Sequence, residues 1–187
     1  MSAINYRETL WSDLFPGNRT TITCLEPAVL GVESSLELRP EQRKRTIFRL
    51  DGGSGSDEKL KWLIQRDYHI IAKGFSGKRA AALAQQVSRW DAYHSTCWLG
   101  TVPAPIDFGC PVQVMVKKWL KDYKYKHSYY VTTLPFSSKQ AFMARYDLRG
   151  GAEVEQFRAD KSGLFLSSRR KQSFAAQKAI MLLTDLY

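Results

Sequence analysis

The segment RTIFRLDGGSGSDEKLKWLIQRDYHIIAKG, residues 45–74, carries the pattern that decides the fold. Its β-branched and aromatic start predicts a buried strand that ends at Asp51, and GGSGS then predicts a loop whose backbone can come close to a ligand. DEKLKWLIQRDY predicts a short helix whose acidic first turn suits the helix dipole. YHIIAKG predicts a second strand that is closed by a glycine. The segment therefore predicts a strand, a loop, a helix and a strand in that order.

The flanking sequences predict two more helices. EPAVLGVESSLELRP, residues 26–40, places its apolar residues roughly along one helical face, and Pro40 is expected to stop that helix. GKRAAALAQQVSRW, residues 77–90, is rich in alanine and strongly favours a helix. The alternation of helices and strands up to residue 91 predicts an α/β layer with parallel strands. The apolar residues of the first helix are Val29, Leu30, Val32, Leu36 and Leu38.

The pattern changes after residue 91. Residues 92–135 combine prolines and glycines with two extended runs, PVQVMVKKWL and KHSYYVTTLP, and this predicts an antiparallel β insertion instead of another βα unit. Residues 137–187 are predicted to be mostly helical, with breaks at Gly150, Gly151 and Gly163. We therefore expect one α/β domain over residues 1–187 that includes the β insertion.

The charge balance favours a polyanionic partner. Lysine and arginine number 28 against 18 aspartates and glutamates, which gives a formal net charge of +10. Contacts with phosphates release counterions and add affinity, although a solvated basic surface is the alternative interpretation. The three cysteines share no short spacing, so neither a disulfide framework nor a zinc site is predicted. The amino-terminal residues lack a signal-peptide pattern and no apolar run is long enough to span a bilayer, so we expect a soluble, cytoplasmic protein without a membrane partner.

Two sequence features are suited to chemistry. Asp51 stands where a strand gives way to a glycine-rich loop, at the carboxyl edge of an α/β sheet, where ligands bind. In YDLRGGAEVEQFRADK, Tyr146, Arg149 and Glu153 share one helical face. A carboxylate beside a guanidinium and the ammonium of Lys161 suits metal binding together with a grip on phosphate. The alternatives are an ordinary aspartate at a strand end and a solvated helix with ion pairs.

Together the two features resemble the DDE-type transposases of insertion sequences. Residues 45–74 resemble the block of strand, aspartate, glycine-rich loop, helix and strand around the second aspartate of that family. YDLRGGAEVEQFRADKSGL, residues 146–164, resembles the family's Tyr-x2-Arg-x3-Glu-x6-Lys signature around the final glutamate. The order of the two blocks and the β insertion between them also agree, so the resemblance covers most of the chain.

The resemblance implies a ribonuclease-H-like fold whose acidic triad holds two divalent metal ions, normally Mg²⁺ or else Mn²⁺. It implies metal-dependent nicking and strand transfer, with DNA (transposon ends and target DNA) as a partner and a homodimer or a full-length transposase as a further partner. Asp51 would be the second metal ligand and Glu153 the third, with Glu155 as its alternative. The implied contacts to the DNA backbone are Tyr146, Arg149 and Lys161.

The chain departs from the family pattern in two places. Seven residues separate Glu153 from Lys161, where the signature has six, and this leaves the choice between Glu153 and Glu155 open. The family's first aspartate lies on the first strand of the sheet, whereas Asp13 is the only aspartate before Asp51 and its surroundings resemble a later turn. We therefore expect a catalytic domain that is truncated at both ends, lacks the first strand and is inactive by itself.

Three interpretations of function stay open at this point. The chain is a transposase catalytic domain, a non-catalytic DNA-binding remnant of a transposase, or an unrelated α/β protein in which Asp51 and Glu153 are surface residues. The β insertion also interleaves lysines with aromatic residues, a pattern that suits a nucleic-acid surface, while protection of an exposed strand edge is the alternative. These residues are Lys117, Lys118, Trp119, Lys121, Tyr123, Lys124, Tyr125 and Lys126.

Overall fold

The computed structural model describes residues 2–3, 8–10, 13, 15–16, 19–148 and 173–184. The chain divides into two units, one formed by residues 39–146 and the other by residues 1–38 and 147–187. Among the described residues, no helix is long and apolar enough to cross a membrane. The three cysteines, Cys24, Cys97 and Cys110, are all free thiols, as expected.

The unit of residues 39–146 contains the predicted strand, helix, strand and helix between residues 45 and 90, whereas the first helix of the predicted alternation lies in the other unit. The segment quoted first folds as a strand up to Leu50, a helix from Asp57 and a second strand from His69. The elements are α2 (Pro40–Arg43), β3 (Ile47–Leu50), α3 (Asp57–Gln65), β4 (His69–Lys73), α4 (Gly77–Ala84), β5 (Asp91–His94), β6 (Cys97–Val102), β7 (Gln113–Lys121), β8 (Lys124–Thr132) and α5 (Lys139–Asp147).

The six strands of this unit form one mixed sheet in the order β3-β4-β8-β7-β6-β5. β3 and β4 are parallel, with Ile47 opposite His69 and Leu50 opposite Ala72. All other neighbours are antiparallel, which confirms the prediction of antiparallel strands within residues 92–135. These strands continue the sheet of β3 and β4, because β8 pairs directly with β4.

The core of this unit forms around β4, where Ile70, Ile71 and Ala72 are fully buried. A continuous apolar run of this kind is typical of a strand that is covered on both faces. On one face, α5 packs against the sheet through a buried cluster. On the other face, Gly100 leaves room for the side chain of Val87, which follows α4. The cluster under α5 consists of Ile71, Leu99, Met115, Tyr130, Phe142, Met143 and Tyr146.

The unit of residues 1–38 and 147–187 contains a short antiparallel pair and two helices. β1 (Ser2–Ala3) pairs with β2 (Glu8–Thr9). α1 spans Thr21–Ser35 and has Pro27 in its interior. α6 spans Phe174–Thr184, and its Lys178 forms an ion pair with Asp13, with Nζ and Oδ1 2.6 Å apart. α5 and α6 agree with the predicted helical character after residue 137, whereas residues 149–172 lie outside the described part of the chain.

The prediction for the first helix was wrong at both ends and over part of its face. α1 begins at Thr21, and only Leu25, Val29 and Val32 among its residues are buried. These three lie on one face because they are four and three residues apart, whereas Leu30 is one residue from Val29 and is 45% exposed. Pro40 does not stop this helix but begins α2, where a proline costs no helical hydrogen bond.

α1 and α3 both end in the same backbone motif. Glu37 and Asp67 adopt left-handed conformations, with φ of 48° and 68°. In α1, the amides of Glu37 and Leu38 donate to the carbonyls of Ser34 and Glu33, and Asp67 and Tyr68 repeat this pattern after α3. This is the Schellman arrangement, which satisfies carbonyls at a helix end. α3 therefore ends at Gln65, earlier than the predicted limit of 68. α4 ends at Ala84, earlier than the predicted limit of 90, without this motif, because its C-cap residue Gln85 keeps a right-handed helical conformation.

Candidate functional site

The candidate site lies at the carboxyl end of β3. Asp51 directly follows Leu50, the last residue of that strand, and its side chain is exposed. Because β3 and β4 are parallel, their carboxyl ends meet at the same edge of the sheet, where α/β proteins bind ligands. The prediction that Asp51 terminates a strand is confirmed. Its predicted role as a metal ligand stays a prediction.

The turn that follows β3 orients the Asp51 carboxylate. The Gly53 amide donates a hydrogen bond to Oδ1 of Asp51 at 2.9 Å, and the Ser54 amide donates to the Asp51 backbone carbonyl at 3.2 Å. An aspartate that closes such a turn on its own backbone is held in a defined rotamer. The carboxylate is therefore presented to solvent in a fixed direction at the strand end.

The glycine-rich loop lies directly against the end of β4. Gly55 is buried, and a Cβ at this position would overlap the backbone carbonyl oxygen of Lys73. The Phe75 amide also donates to the Gly55 carbonyl at 3.1 Å. The sequence predicted a loop whose glycines allow a close approach, and at Gly55 the approaching group is the protein's own backbone. The loop is thereby fixed between the two parallel strands.

A network of charged and aromatic residues anchors the far end of this loop. Asp57, at the start of α3, accepts a hydrogen bond from the guanidinium of Arg79 in α4. This hydrogen bond is the main reason why the pKa of Arg79 is raised above its ordinary value. Burial raises the pKa of the neighbouring Tyr129 hydroxyl. Since Asp57 is engaged by Arg79, it acts as an anchor for α3 and α4 in this arrangement.

Two hydrogen bonds connect the end of α5 with the end of β3. The Arg49 guanidinium donates through Nη1 to the backbone carbonyl of Arg145 at 3.1 Å. One residue further along both elements, the Tyr146 hydroxyl donates to the Leu50 carbonyl at 3.5 Å. A guanidinium at a helix carboxyl terminus is also favoured by the helix dipole. Tyr146, the first residue of the block over residues 146–164, is thus held next to β3, the strand that precedes Asp51.

Among the predicted site residues in the block over residues 146–164, Tyr146 is the one that the structure describes. Its side chain is 7% exposed and packs edge-to-face on Tyr130, with ring centroids 4.8 Å apart. Its predicted contact with the DNA backbone stays a prediction. Arg149, Glu153, Glu155 and Lys161 lie outside the described residues, so their places relative to Asp51 are predictions as well.

Lys73 is a candidate site residue that the sequence patterns did not single out. It is the last residue of β4, and a Cβ at Gly52 would lie 3.7 Å from its Cδ. The lysine side chain therefore runs beside the loop that begins at Asp51. The signal that could have identified it is its position at the end of the strand parallel to β3. An ammonium at this edge suits a phosphate ligand.

A cavity of about 400 Å³ lies in another part of the same unit. Residues of β6, β7, α5 and the segment before α5 line it, and neither Asp51 nor Tyr146 is among them. Lys139, on its wall, is engaged by the Asp91 carboxylate, with Nζ and Oδ2 3.1 Å apart. The hydrogen bond from Lys139 is the main reason why the pKa of Asp91 is lowered. Lys139 thus pins the start of α5 to β5.

The described residues place one exposed carboxylate, one ammonium and a backbone loop at a single sheet edge. Carboxylate oxygens are the ligands that Mg²⁺ and Mn²⁺ prefer. Within the described ranges, no group of three histidine, cysteine, aspartate or glutamate side chains is arranged to hold a metal ion. Comparison of the chain with models of protein families found no match, and comparison with curated proteins found no relative.

Proposed function

We propose that the chain is a DDE-type transposase catalytic domain with a ribonuclease-H-like fold. The observation that carries the proposal is the pair of hydrogen bonds between α5 and β3. Two sequence blocks about a hundred residues apart resemble the family, and Tyr146 of the second block contacts Leu50 of the first. This proximity is required if carboxylates from both blocks are to act on one phosphodiester bond.

The sheet also supports the proposal. The aspartate follows a short strand that pairs in parallel with the next strand, and a helix connects the two. Connections of this type bring the ends of both strands to one edge. The antiparallel strands of residues 91–132 then extend the sheet from β4. The finer assignment to the ribonuclease-H-like fold rests on this partial agreement together with the sequence resemblance.

In this proposal Asp51 holds a divalent metal ion together with Glu153 or Glu155. Its donor chemistry fits, because an exposed carboxylate with a fixed rotamer is a suitable ligand for Mg²⁺. Bound metal ions of this kind stabilise the charge that develops on the attacking and leaving oxygens of a phosphodiester. Tyr146, Arg149 and Lys161 are proposed to position the DNA backbone at this edge.

The second candidate function is a DNA-binding remnant without catalysis. One observation favours it. Asp13, the only aspartate before Asp51 in the sequence, forms an ion pair with Lys178. An aspartate that is already neutralised by a lysine is a poor substitute for the family's first metal ligand. In this version the basic chain binds transposon ends, alone or with a homodimeric or full-length transposase partner, but does not nick them.

Binding of Mn²⁺ by the purified chain, followed by electron paramagnetic resonance, tests the role of Asp51. Asp107→Asn is a matched control, because Asp107 is also exposed and accepts a hydrogen bond from Gly109 two residues later, at 2.8 Å. We expect Asp51→Asn to weaken Mn²⁺ binding about tenfold, since one charged oxygen ligand becomes neutral. Asp107→Asn is expected to bind like the wild type. Equal binding by both variants would contradict the assignment of Asp51.

Nicking of supercoiled plasmid DNA in Mg²⁺ separates the two candidate functions. We expect no nicking by the chain alone. Nicking that Asp51→Asn abolishes and Asp107→Asn retains would show an active catalytic domain and exclude the remnant. DNA binding without nicking, by a chain that still binds Mn²⁺ through Asp51, fits the remnant and a catalytic domain that is inactive by itself. A chain that binds neither Mn²⁺ at Asp51 nor DNA is not a transposase domain of either kind.

A further inference from the structure

The hairpin of β7 and β8 extends past the strands on either side of it. The two strands pair over their full length, from Gln113 opposite Thr132 to Lys121 opposite Lys124. β6 pairs with β7 only as far as Trp119, and β4 pairs with β8 only over residues 130–132. The segment Leu120–Lys126, here called the arm, is therefore exposed at every residue.

The arm collects positive charge on one face. Lys121 and Lys124 stand directly opposite each other, and Lys126 lies two residues further along the same face, opposite Trp119. Like charges in directly opposed positions destabilise a hairpin. Within the part of the chain that the structure describes, none of these three lysines forms an ion pair. Asp122 is the one carboxylate of the arm. An anionic partner would remove the repulsion.

The tip of the arm presents an aromatic ring to solvent. Asp122 and Tyr123 form a two-residue turn, and both have left-handed backbones with φ of 51° and 58°. Turns of this kind favour asparagine and glycine, and a left-handed tyrosine carries a conformational cost. The Tyr123 side chain is 99% exposed, so no packing within the described structure offsets that cost. A ring held in this way is available to pack on a ligand.

The base of the arm is held by cation–π contacts. The Lys118 ammonium lies 4.4 Å from the ring centroid of Trp90, 5.2 Å from that of Trp98 and 5.3 Å from that of Tyr125. Trp98 and Tyr125 also meet edge-to-face. Contacts of this type stabilise a lysine in one position and order the strands that carry the rings. The arm therefore projects from a fixed base, and little conformational entropy is lost when it binds.

We propose that the arm is a DNA-binding finger that grips a duplex by its backbone. Lys121, Lys124 and Lys126 contact successive phosphates, and the Tyr123 ring packs on the sugars and base edges of the groove between them. The proposal rests on the proposed function only in taking DNA as the polyanion. The interleaving of basic and aromatic residues at an exposed tip fits nucleic acid better than a membrane, because the arm offers only Leu120 as an exposed aliphatic residue.

The salt dependence of binding to a short duplex oligonucleotide tests the arm. The arm variant combines Lys121→Gln, Lys124→Gln and Lys126→Gln, and its control combines Lys44→Gln, Arg45→Gln and Lys78→Gln. All six side chains are exposed, and both variants lower the net charge of +10 by three. We expect the arm variant to lose at least about tenfold in DNA affinity. The negative slope of log association constant against log salt concentration should become less steep by roughly 3, one for each phosphate contact. The control is expected to change the slope by less than about 1.

A second variant tests the ring at the tip. Tyr123→Asn suits the left-handed turn and is expected to leave the hairpin folded. It should weaken DNA binding severalfold at every salt concentration without changing the slope, because tyrosine at this position contributes packing and no charge.

The outcomes separate failure of the arm from failure of the proposed function. Equal slopes for the arm variant and its control would contradict the proposed contacts of the arm with DNA phosphates. That result would not affect the proposed binding of Mn²⁺ at Asp51. An arm variant that self-associates, while its monomer binds DNA like the wild type, shows that the lysines only protect a strand edge. Binding of the wild type to vesicles of anionic phospholipid but not to duplex DNA would also contradict the proposal that the arm binds DNA.

Discussion

The Tyr146 hydroxyl lies 3.5 Å from the backbone carbonyl oxygen of Leu50, ninety-six residues earlier in the chain. The neighbouring hydrogen bond from Arg49 to the Arg145 carbonyl runs in the opposite direction between the same two elements. Each element thus donates once and accepts once. The carboxyl end of α5 is fixed to the strand that precedes Asp51, and the polypeptide continues from there into residues 149–161.

Removal of the Tyr146 hydroxyl should destabilise the protein modestly. We expect Tyr146→Phe to lower the free energy of unfolding by about 0.5–1 kcal/mol, because one long neutral hydrogen bond is lost and the ring packing on Tyr130 is kept. Tyr146→Ala, which also empties the ring's place, should cost about 3–5 kcal/mol. Urea unfolding followed by tryptophan fluorescence measures both.

Tyr123→Phe is the control for the loss of a hydroxyl, since this ring is 99% exposed, and it should leave the unfolding midpoint unchanged. If Tyr146→Phe is as stable as the wild type, the hydroxyl contributes nothing to the connection between α5 and β3. If it is as unstable as Tyr146→Ala, the packing argument for the ring is wrong.

A methyl group at Gly55 should disturb the loop that follows Asp51. The added Cβ of Gly55→Ala would overlap the Lys73 carbonyl oxygen, and backbone cannot move aside as a flexible side chain can. We expect a loss of about 1–3 kcal/mol in the free energy of unfolding, measured by thermal or urea unfolding. Mn²⁺ binding at Asp51 should weaken as well, because the loop orients that carboxylate.

Gly77→Ala provides the matched comparison. Gly77 opens α4, nothing lies within 4 Å of a Cβ placed there, and neither glycine has a positive φ. Alanine should therefore stabilise the helix by about 0.4–1 kcal/mol. Similar effects of the two substitutions would show that the close approach of Gly55 to Lys73 is not what the loop requires.

Stability should fall as the pH drops below the ordinary histidine range, and His127 should account for part of that fall. Burial lowers the pKa of His127 below its ordinary value of 6.5, and the charge of Lys118 on the neighbouring strand lowers it further. Between the lowered pKa and 6.5 the unfolded chain binds more protons than the folded one. His127 therefore makes the free energy of unfolding rise with pH through this window, and this contribution is lost as the pH falls through it.

Urea unfolding at several values between about pH 5 and 8 measures this dependence. His127→Gln should flatten the acid side of the profile, because the group that resists protonation is gone. His94→Gln, which changes an exposed histidine at the end of β5, controls for the loss of an imidazole. A His127→Gln profile that keeps the wild-type slope would contradict this assignment.

The local pattern of the chain was enough to predict most of the elements around the candidate site. The strand that ends before Asp51, the helix with Asp57 and Glu58 in its first turn, and the strand over residues 69–73 all occur where the sequence predicts them. Hydrophobic period, glycine and the preference of acidic residues for helix starts are short-range signals, so a single segment contains them completely.

The limits of the helices were harder to predict, for a different reason. α1 runs through Pro27 and ends at Ser35, two residues before the left-handed Glu37. α3 ends at Gln65, two residues before the left-handed Asp67. Glycine or asparagine is the usual residue at such a position, so neither sequence carries the expected signal. Acidic residues were tolerated there because the backbone hydrogen bonds of the Schellman motif close each helix end.

For the candidate site as well, some features follow from the sequence and others only from the tertiary structure. The sequence by itself determined that Asp51 ends a strand before a glycine-rich loop, that the strands within residues 92–135 are antiparallel, and that lysines and aromatic residues alternate there. Only the tertiary structure decided that β8 pairs with β4, that α5 reaches Leu50, that Lys73 flanks the loop, and that the arm projects beyond its neighbours. The physical reason is that local patterns set backbone conformation, whereas the choice of partners depends on which distant apolar faces and unpaired strand edges satisfy one another.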